Sequence, residues 1–441
     1  MNPQRFLRLV SGAMAALGIS AAAIVALNLR GEDPLPSAET LKPTPALVAQ
    51  GEYLTRVGNC MACHTVQGGA PFAGGRGIET PFGVVYSSNL TPDKATGLGA
   101  WTSAEFWRAM HNGRGKDGRL LYPAFPYTSY THVTREDSDA IFAYLQSLPP
   151  VAQANKAHAL RFPYSTQAAL GVWRALFFTP ADAAQPAAAV PQALATAQAP
   201  DYQRGAYLVN GLGHCAACHT PRNSLGAEQQ GQALAGGLIP VQNWLAPALT
   251  DAGQAGVQRW PQADVVALLK TGVAPQASVI GPMAEVVFRS TQYLSDADAR
   301  AMAVYLQALP EHAATPAKQA VAPASVMERG AKVYEAQCAQ CHGAQGQGAK
   351  DEAGQPAFPP LAGNRAVVLA DPTNLVRVVL QGGYLPATAG NPRPHGMPPF
   401  QHLLGDEDVA AVATFVRNSW GHQAAGVGTI EVYRARERRT P

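Results

Sequence analysis

The chain has 441 residues, a formal net charge of +3 and only 14% charged residues. Its length suggests two to four domains, and the modest, unclustered basic excess gives no support for nucleic-acid binding. Hydrophobic residues reach 47% but aromatics only 7%, with 42 Gly and 36 Pro. This composition fits small helical domains with long loops, in which a bulky group replaces part of the apolar core.

At the N-terminus, Arg5 and Arg8 precede an apolar run from Leu9 to Leu27, and Arg30 follows. The run is close to the length of one membrane span and longer than the usual core of a cleaved signal. Both readings stay open, and an anchor over residues 1–30 is favoured. In either case the basic residues stay cytoplasmic and the rest of the chain is exported. No other segment is long and apolar enough to span a membrane.

Three repeats follow, over 45–150, 200–312 and 325–425. Each opens with a short helix carrying a Gly and an aromatic: Gly51 with Tyr53, Gly205 with Tyr207, Gly330 with Tyr334. Each closes with an amphipathic helix whose first turn is acidic: Glu136-Asp137-Ser138-Asp139, Ser295-Asp296-Ala297-Asp298 and Asp406-Glu407-Asp408. Acids there complement the helix dipole. Leu148-Pro149-Pro150 and Leu309-Pro310 are stop signals. Between the first two repeats, Phe162 to Phe178 is too aromatic for a free linker and is expected to pack on a neighbour. Ala181 to Pro200 is Ala/Pro-rich and expected to be extended. Glu311 to Ala324 is a shorter linker of the same kind.

All six cysteines fall in three copies of Cys-x-x-Cys-His: Cys60, Cys63 and His64; Cys215, Cys218 and His219; Cys338, Cys341 and His342. A lone Cys-x-x-Cys could bind zinc or exchange disulfides. Zinc would need two pairs close together, and these lie more than a hundred residues apart. A thiol-exchange motif does not call for the His. With that His in every copy, the pattern reads as c-type haem attachment. Two thiols form thioethers to the porphyrin, and the His becomes the proximal iron ligand. Three copies imply three covalently bound haems c, with no thiol left for a disulfide. Covalent attachment outside the bacterial cytoplasm agrees with export and places the chain on the periplasmic side of the inner membrane.

A second axial ligand is expected in a Pro-flanked loop before each closing helix, where Met raises the reduction potential. Met397, in His395-Gly396-Met397-Pro398-Pro399, fits this in repeat three, with His395 its one competitor. Met283, in Gly281-Pro282-Met283, fits in repeat two. Core packing is the alternative role for either. Repeat one has Phe125 at the equivalent place, and phenylalanine cannot ligate iron. His111 is the leading candidate there, with Met110 as competitor and an open site as the third possibility. Met110 aligns with Leu269 and His111 with Lys270, so packing and surface exposure are their ordinary roles. His132, His158, His214, His312, His402 and His422 read mostly as surface residues.

The three motifs, together with Asn89-Leu90-Thr91-Pro92-Asp93, Thr96-Gly97-Leu98-Gly99-Ala100-Trp101, Tyr122-Pro123-Ala124-Phe125-Pro126-Tyr127 and Gly281-Pro282-Met283-Ala284-Glu285, resemble the tri-haem cytochrome c subunit of bacterial membrane-bound dehydrogenases. The resemblance runs from about residue 45 to 420. It implies an all-α chain of three tandem class I cytochrome c-like domains joined by Ala/Pro-rich linkers, behind an N-terminal hydrophobic helix. It also implies a catalytic partner of the molybdenum, flavin or PQQ type, and ubiquinone or another respiratory acceptor, such as a terminal oxidase. Many members of the family have Met where Phe125 stands. The expected function is electron relay, with no catalytic residues of its own. The rival is substrate chemistry at an open first haem, as in peroxidases or thiosulfate-oxidising cytochromes.

Overall fold

One glycine in each repeat decides how its first and last helices cross. In the computed structural model of the chain, a β-carbon on Gly51 would lie 1.9 Å from the Ala140 carbonyl oxygen. The same construction gives 2.0 Å between Gly205 and Ala301, and 2.3 Å between Gly330 and Ala411. Only Gly lets the two backbones approach this closely. The fourth residue past each helix contact, one turn on, is aromatic, Tyr144, Tyr305 or Phe415, and its Cβ lies against the same glycine.

The structure describes residues 3–32, 35, 41–182, 188–192, 194–312, 322–350, 352, 354 and 356–437. These belong to two compact units. One comprises Met1–Thr55, Cys63–Pro186 and Ser224–Ala227; the other comprises Arg56–Ala62, Ala187–Asn223 and Glu228–Pro441. Most of the linker from Glu311 to Ala324 lies outside the described residues, as do the side chains of Arg5 and Arg8.

The helices of the first repeat and its flanks are α1 (Pro3–Asn28), α2 (Pro45–Val57), α3 (Cys60–His64), α4 (Ser103–Asn112), α5 (Tyr127–Tyr130), α6 (Arg135–Ser147) and α7 (Gln167–Phe177). Ser11–Asn28 within α1 is long and apolar enough to cross a membrane. The start of α4 is fixed by reciprocal hydrogen bonds between Thr102 and Glu105, a capping box. Thr134 caps α6 by accepting from the Asp137 N–H. The expected aromatic segment forms α7, which packs on α1, although Phe162 and Leu176 remain exposed.

The second unit holds α8 (Ala199–Tyr207), α9 (Ala216–His219), α10 (Gln262–Thr271), α11 (Pro282–Arg289), α12 (Asp296–Gln307), α13 (Ala324–Gln337), α14 (Ala339–His342), α15 (Thr373–Gln381), α16 (Asp406–Arg417) and α17 (Thr429–Glu437). The tail of the first linker is not extended. A 3-10 turn over Thr196–Gln198 leads directly into α8, with Pro200 in its first turn, where its missing N–H costs nothing. A π-turn over Leu208–Leu212 carries α8 toward the second Cys-x-x-Cys-His.

The expected all-α chain is mostly helical but carries short antiparallel hairpins. In the first unit, β1 (Gly77–Thr80) pairs with β2 (Gly83–Tyr86), and β3 (Ala159–Leu160) adds to it. In the second, β4 (Gly237–Ile239) pairs with β5 (Trp244–Ala246), β6 (Val273–Ala274) with β7 (Ala277–Ser278), β8 (Ala349–Lys350) with β9 (Pro356–Phe358), and β10 (Gly383–Tyr384) with β11 (Gly396–Met397). They are too short for sequence periodicity to reveal, and each lets a long loop satisfy its own backbone.

Candidate haem-attachment and axial-ligand sites

The three motif histidines share one hydrogen-bonding arrangement. Nδ1 of His64 lies 2.7 Å from the Ser88 carbonyl, Nδ1 of His219 lies 2.7 Å from the Pro247 carbonyl, and Nδ1 of His342 lies 3.0 Å from the Pro359 carbonyl. A carbonyl can only accept, so Nδ1 carries the proton in each ring. That fixes the tautomer and leaves the Nε2 lone pair for iron. Burial holds all three imidazoles below their ordinary pKa, partly offset by these same bonds. The neutral ring is the form that binds a metal.

A glycine fastens each arrangement from the other side. The N–H groups of Gly74, Gly236 and Gly348 donate to the carbonyls of His64, His219 and His342 at 2.7, 2.7 and 2.8 Å. All three glycines have φ between +69° and +80°, a region that favours Gly. A β-carbon would meet Ser88 in the first case, Ala248 in the second and Phe358 in the third, at 2.4, 2.6 and 2.5 Å. Each glycine therefore touches both its histidine and the segment supplying that histidine's carbonyl acceptor. Neither these glycines nor the acceptors were legible in the sequence: a backbone carbonyl leaves no residue signature, and glycines are everywhere in these loops.

All six thiols are free of disulfides. Burial pushes the Cys215 thiol up to about 12 and the Cys338 thiol up to about 11. Thiol-exchange cysteines need the opposite, a depressed pKa. Paired unbridged thiols beside a neutral imidazole with Nε2 available fit covalently attached haem.

The predicted sixth ligands occupy different settings. Met397 lies on β11 and packs against the cluster that includes Val376, Leu380 and Phe400. His395 is exposed, with its ring 4.6 Å from Phe358. Met283 is not in a loop: it occupies the first turn of α11, after Gly281 at φ +55° and Pro282. Pro pre-sets a first helical turn, which explains why the helix starts there. In the first repeat, Met110 and His111 are both buried, at 4% and 6% exposure. His111 departs from a surface role: it stacks on Trp107 at 4.5 Å, whereas the aligned Lys270 reaches out to Asp296. Phe125 packs edge-on against Tyr130. Of the other histidines, His158, His312 and His402 are exposed, while His132, His214 and His422 are half-buried. His422 bonds the Val416 carbonyl and the Gly363 N–H, a structural role.

Thiol pairs, oriented imidazoles and glycine-locked helix crossings define a c-type cytochrome. The chain belongs to the cytochrome c family, whose profile matches residues 48–149, 202–310 and 327–420. It is 38% identical over 413 residues to the cytochrome c subunit of a quinone alcohol dehydrogenase from Gluconacetobacter polyoxogenes, covering 89% of this chain and 84% of that one. It is 39% identical over 401 residues to the cytochrome c subunit of gluconate 2-dehydrogenase from Pantoea cypripedii, covering 88% of each. Both relatives are cytochrome c subunits of dehydrogenases. A solved thiosulfate dehydrogenase from Marichromatium purpuratum matches at 16% identity, over 88% of this chain and 72% of that one, with a TM-score of 0.18, too distant to bear on function.

Proposed function

We propose that this chain is the electron-relay subunit of a membrane-bound dehydrogenase, working on the periplasmic side of the bacterial inner membrane. It would carry three haems c and pass electrons from a catalytic subunit of the molybdenum, flavin or PQQ type to ubiquinone or another respiratory acceptor. The carrying observation is the threefold recurrence of an Nδ1-anchored histidine beside a thiol pair, in a chain whose relatives are dehydrogenase cytochrome subunits.

Each haem, when bound, supplies a one-electron Fe(III)/Fe(II) couple. The protein's share is to hold and tune it. Cys60 and Cys63, Cys215 and Cys218, and Cys338 and Cys341 would form the thioethers. His64, His219 and His342 would ligate through Nε2. Met283 and Met397 would complete two sites and raise their potentials. His111 would complete the first, which then sits at lower potential.

The N-terminal helix is read as a retained anchor. Asn28, at its end, donates to the Gly171 carbonyl at 2.8 Å and accepts from Arg174 Nε at 3.0 Å. Arg114 donates to the Asn28 carbonyl and pairs with Glu32. These contacts tie the outer end of the span into the first repeat.

The test is purification of the tagged full chain from solubilised membranes. Three haems per chain by pyridine haemochrome, a co-purifying catalytic subunit, and haem reduction by its substrate with reoxidation by ubiquinone are expected. Fewer than three haems, or haems that the co-purified dehydrogenase leaves oxidised, would overturn the reading.

A further inference from the structure

We infer that the third repeat sets the ligation and potential of the second haem, by gripping one strand of the second repeat with Asn374 and Arg377. This rests on the reading of His219 and Met283 as that haem's axial ligands.

The strand is β5 with its continuation to Pro247. Its Pro247 end supplies the carbonyl that orients His219. Its Trp244 end lies against Gly281, two residues before the other candidate ligand. A β-carbon on Gly281 would lie 2.8 Å from the indole ring atoms of Trp244, so the Gly281 backbone rests directly on that ring. Pro282 and Met283 follow immediately. Four residues, Trp244 to Pro247, thus bear on the supports of both axial positions of one haem.

Neighbouring residues of α15, in the third repeat, hold those four in place. Asn374 Oδ1 accepts from the Leu245 N–H at 2.9 Å, and its Nδ2 donates to the Leu245 carbonyl at 2.8 Å. Both bonds leave from the edge of β5 away from β4, so the amide replaces a third strand. One helical turn on, the Arg377 guanidinium lies over the Trp244 ring, 4.8 Å from its centroid. Asn374 and Arg377 are 5% and 1% exposed. At spacing i, i+3 they share one helix face. An arginine stacked on indole in a buried site is worth more than an exposed one. With Trp244 in contact with both Arg377 and Gly281, movement of α15 is transmitted to the turn that presents Met283. The residues aligned with Asn374 and Arg377 are Asp264 and Ala267 in the second repeat and Glu105 and Arg108 in the first, so neither of those repeats carries the same pair.

Asn374 and Arg377 are positioning residues, and the readout is a midpoint potential rather than turnover. In the full holoprotein, Met283→His assigns the wave of the second haem by lowering it. Asn374→Ala and the milder Arg377→Lys are then titrated spectroelectrochemically, after confirming three attached haems per chain. Loosening the strand weakens the Met–iron bond and admits water, both of which favour the ferric form. The expected result is a tenfold or larger fall in that haem's reduction equilibrium constant, about 59 mV for one electron, with a weaker Met-to-iron charge-transfer band and the other two waves in place. If Met283→His moves a wave that both α15 variants leave unchanged, the ligand assignment stands and the clamp is refuted. If Met283→His moves no wave, the ligand assignment fails and takes the inference with it.

Discussion

Gly236 donates its N–H to the carbonyl of His219 at 2.7 Å, at φ +80° and where a β-carbon would lie 2.6 Å from the Ala248 nitrogen. It cannot gain a side chain without moving either the histidine or the segment that holds the ring of that histidine. Gly236→Ala is therefore expected to cost about 1–3 kcal/mol through backbone strain and to disturb one haem. Compared with wild type, the variant should show a lower melting midpoint and one shifted reduction wave; unchanged potentials would contradict the assigned role.

Met397→His should keep the third iron six-coordinate while lowering its midpoint, because imidazole favours the ferric state where thioether favours the ferrous. The expected drop exceeds the roughly 59 mV of a tenfold change in a one-electron equilibrium. Potentiometric titration reads it directly. A wave that stays in place would reduce Met397 to its packing role against Phe400 and Leu380.

For the first haem, His111→Ala is expected to open a coordination position. The reduced variant should bind carbon monoxide, giving a difference spectrum absent from wild type and from Met110→Leu. Carbon monoxide binding by wild type would instead mean an open iron, and binding by the Met110 variant alone would move the ligand to Met110.

Retention of the N-terminal helix predicts an intact N-terminus in the membrane-bound protein, measured by mass spectrometry. Asn28→Ala removes the acceptor of a buried arginine, Arg174, which is 2% exposed. Leaving a buried donor unsatisfied costs about 1–3 kcal/mol, so the variant should melt earlier while remaining in the membrane fraction. A mature chain beginning after Asn28 would end this reading.

Alkaline pH should destabilise the first repeat through Tyr127, whose phenol is pushed up to about 12 by burial. A raised folded-state pKa means that the folded chain holds its proton longer than the unfolded one. The associated stability is complete below pH 10 and is lost as pH rises toward 12, by about 3 kcal/mol at most. Melting midpoints of wild type should therefore fall more steeply over this range than those of Tyr127→Phe. Parallel slopes would show that Tyr127 ionises without penalty.

Chemistry that is covalent or local was readable from the residues alone. Cys-x-x-Cys-His names thiols and imidazole within one helical turn, and no long-range fact is needed to read it. The acidic first turns were also legible, and Thr134 and Ser295 cap two of those helices as local rules require. So was the glycine of each opening helix, though not its reason, which is the carbonyl of a residue some ninety positions away, such as Ala140 or Ala301. Long-range packing settled the rest. It buried His111 where alignment with Lys270 suggested a surface residue, because Trp107 lies one turn earlier to stack on it. It put Met283 on a helix, because Gly281 can turn against Trp244. It chose Ser88, Pro247 and Pro359 to orient the three histidines, through main-chain atoms that every residue possesses. Side-chain identity fixes which groups can hold a haem, whereas their orientation is carried by backbone groups and non-local packing.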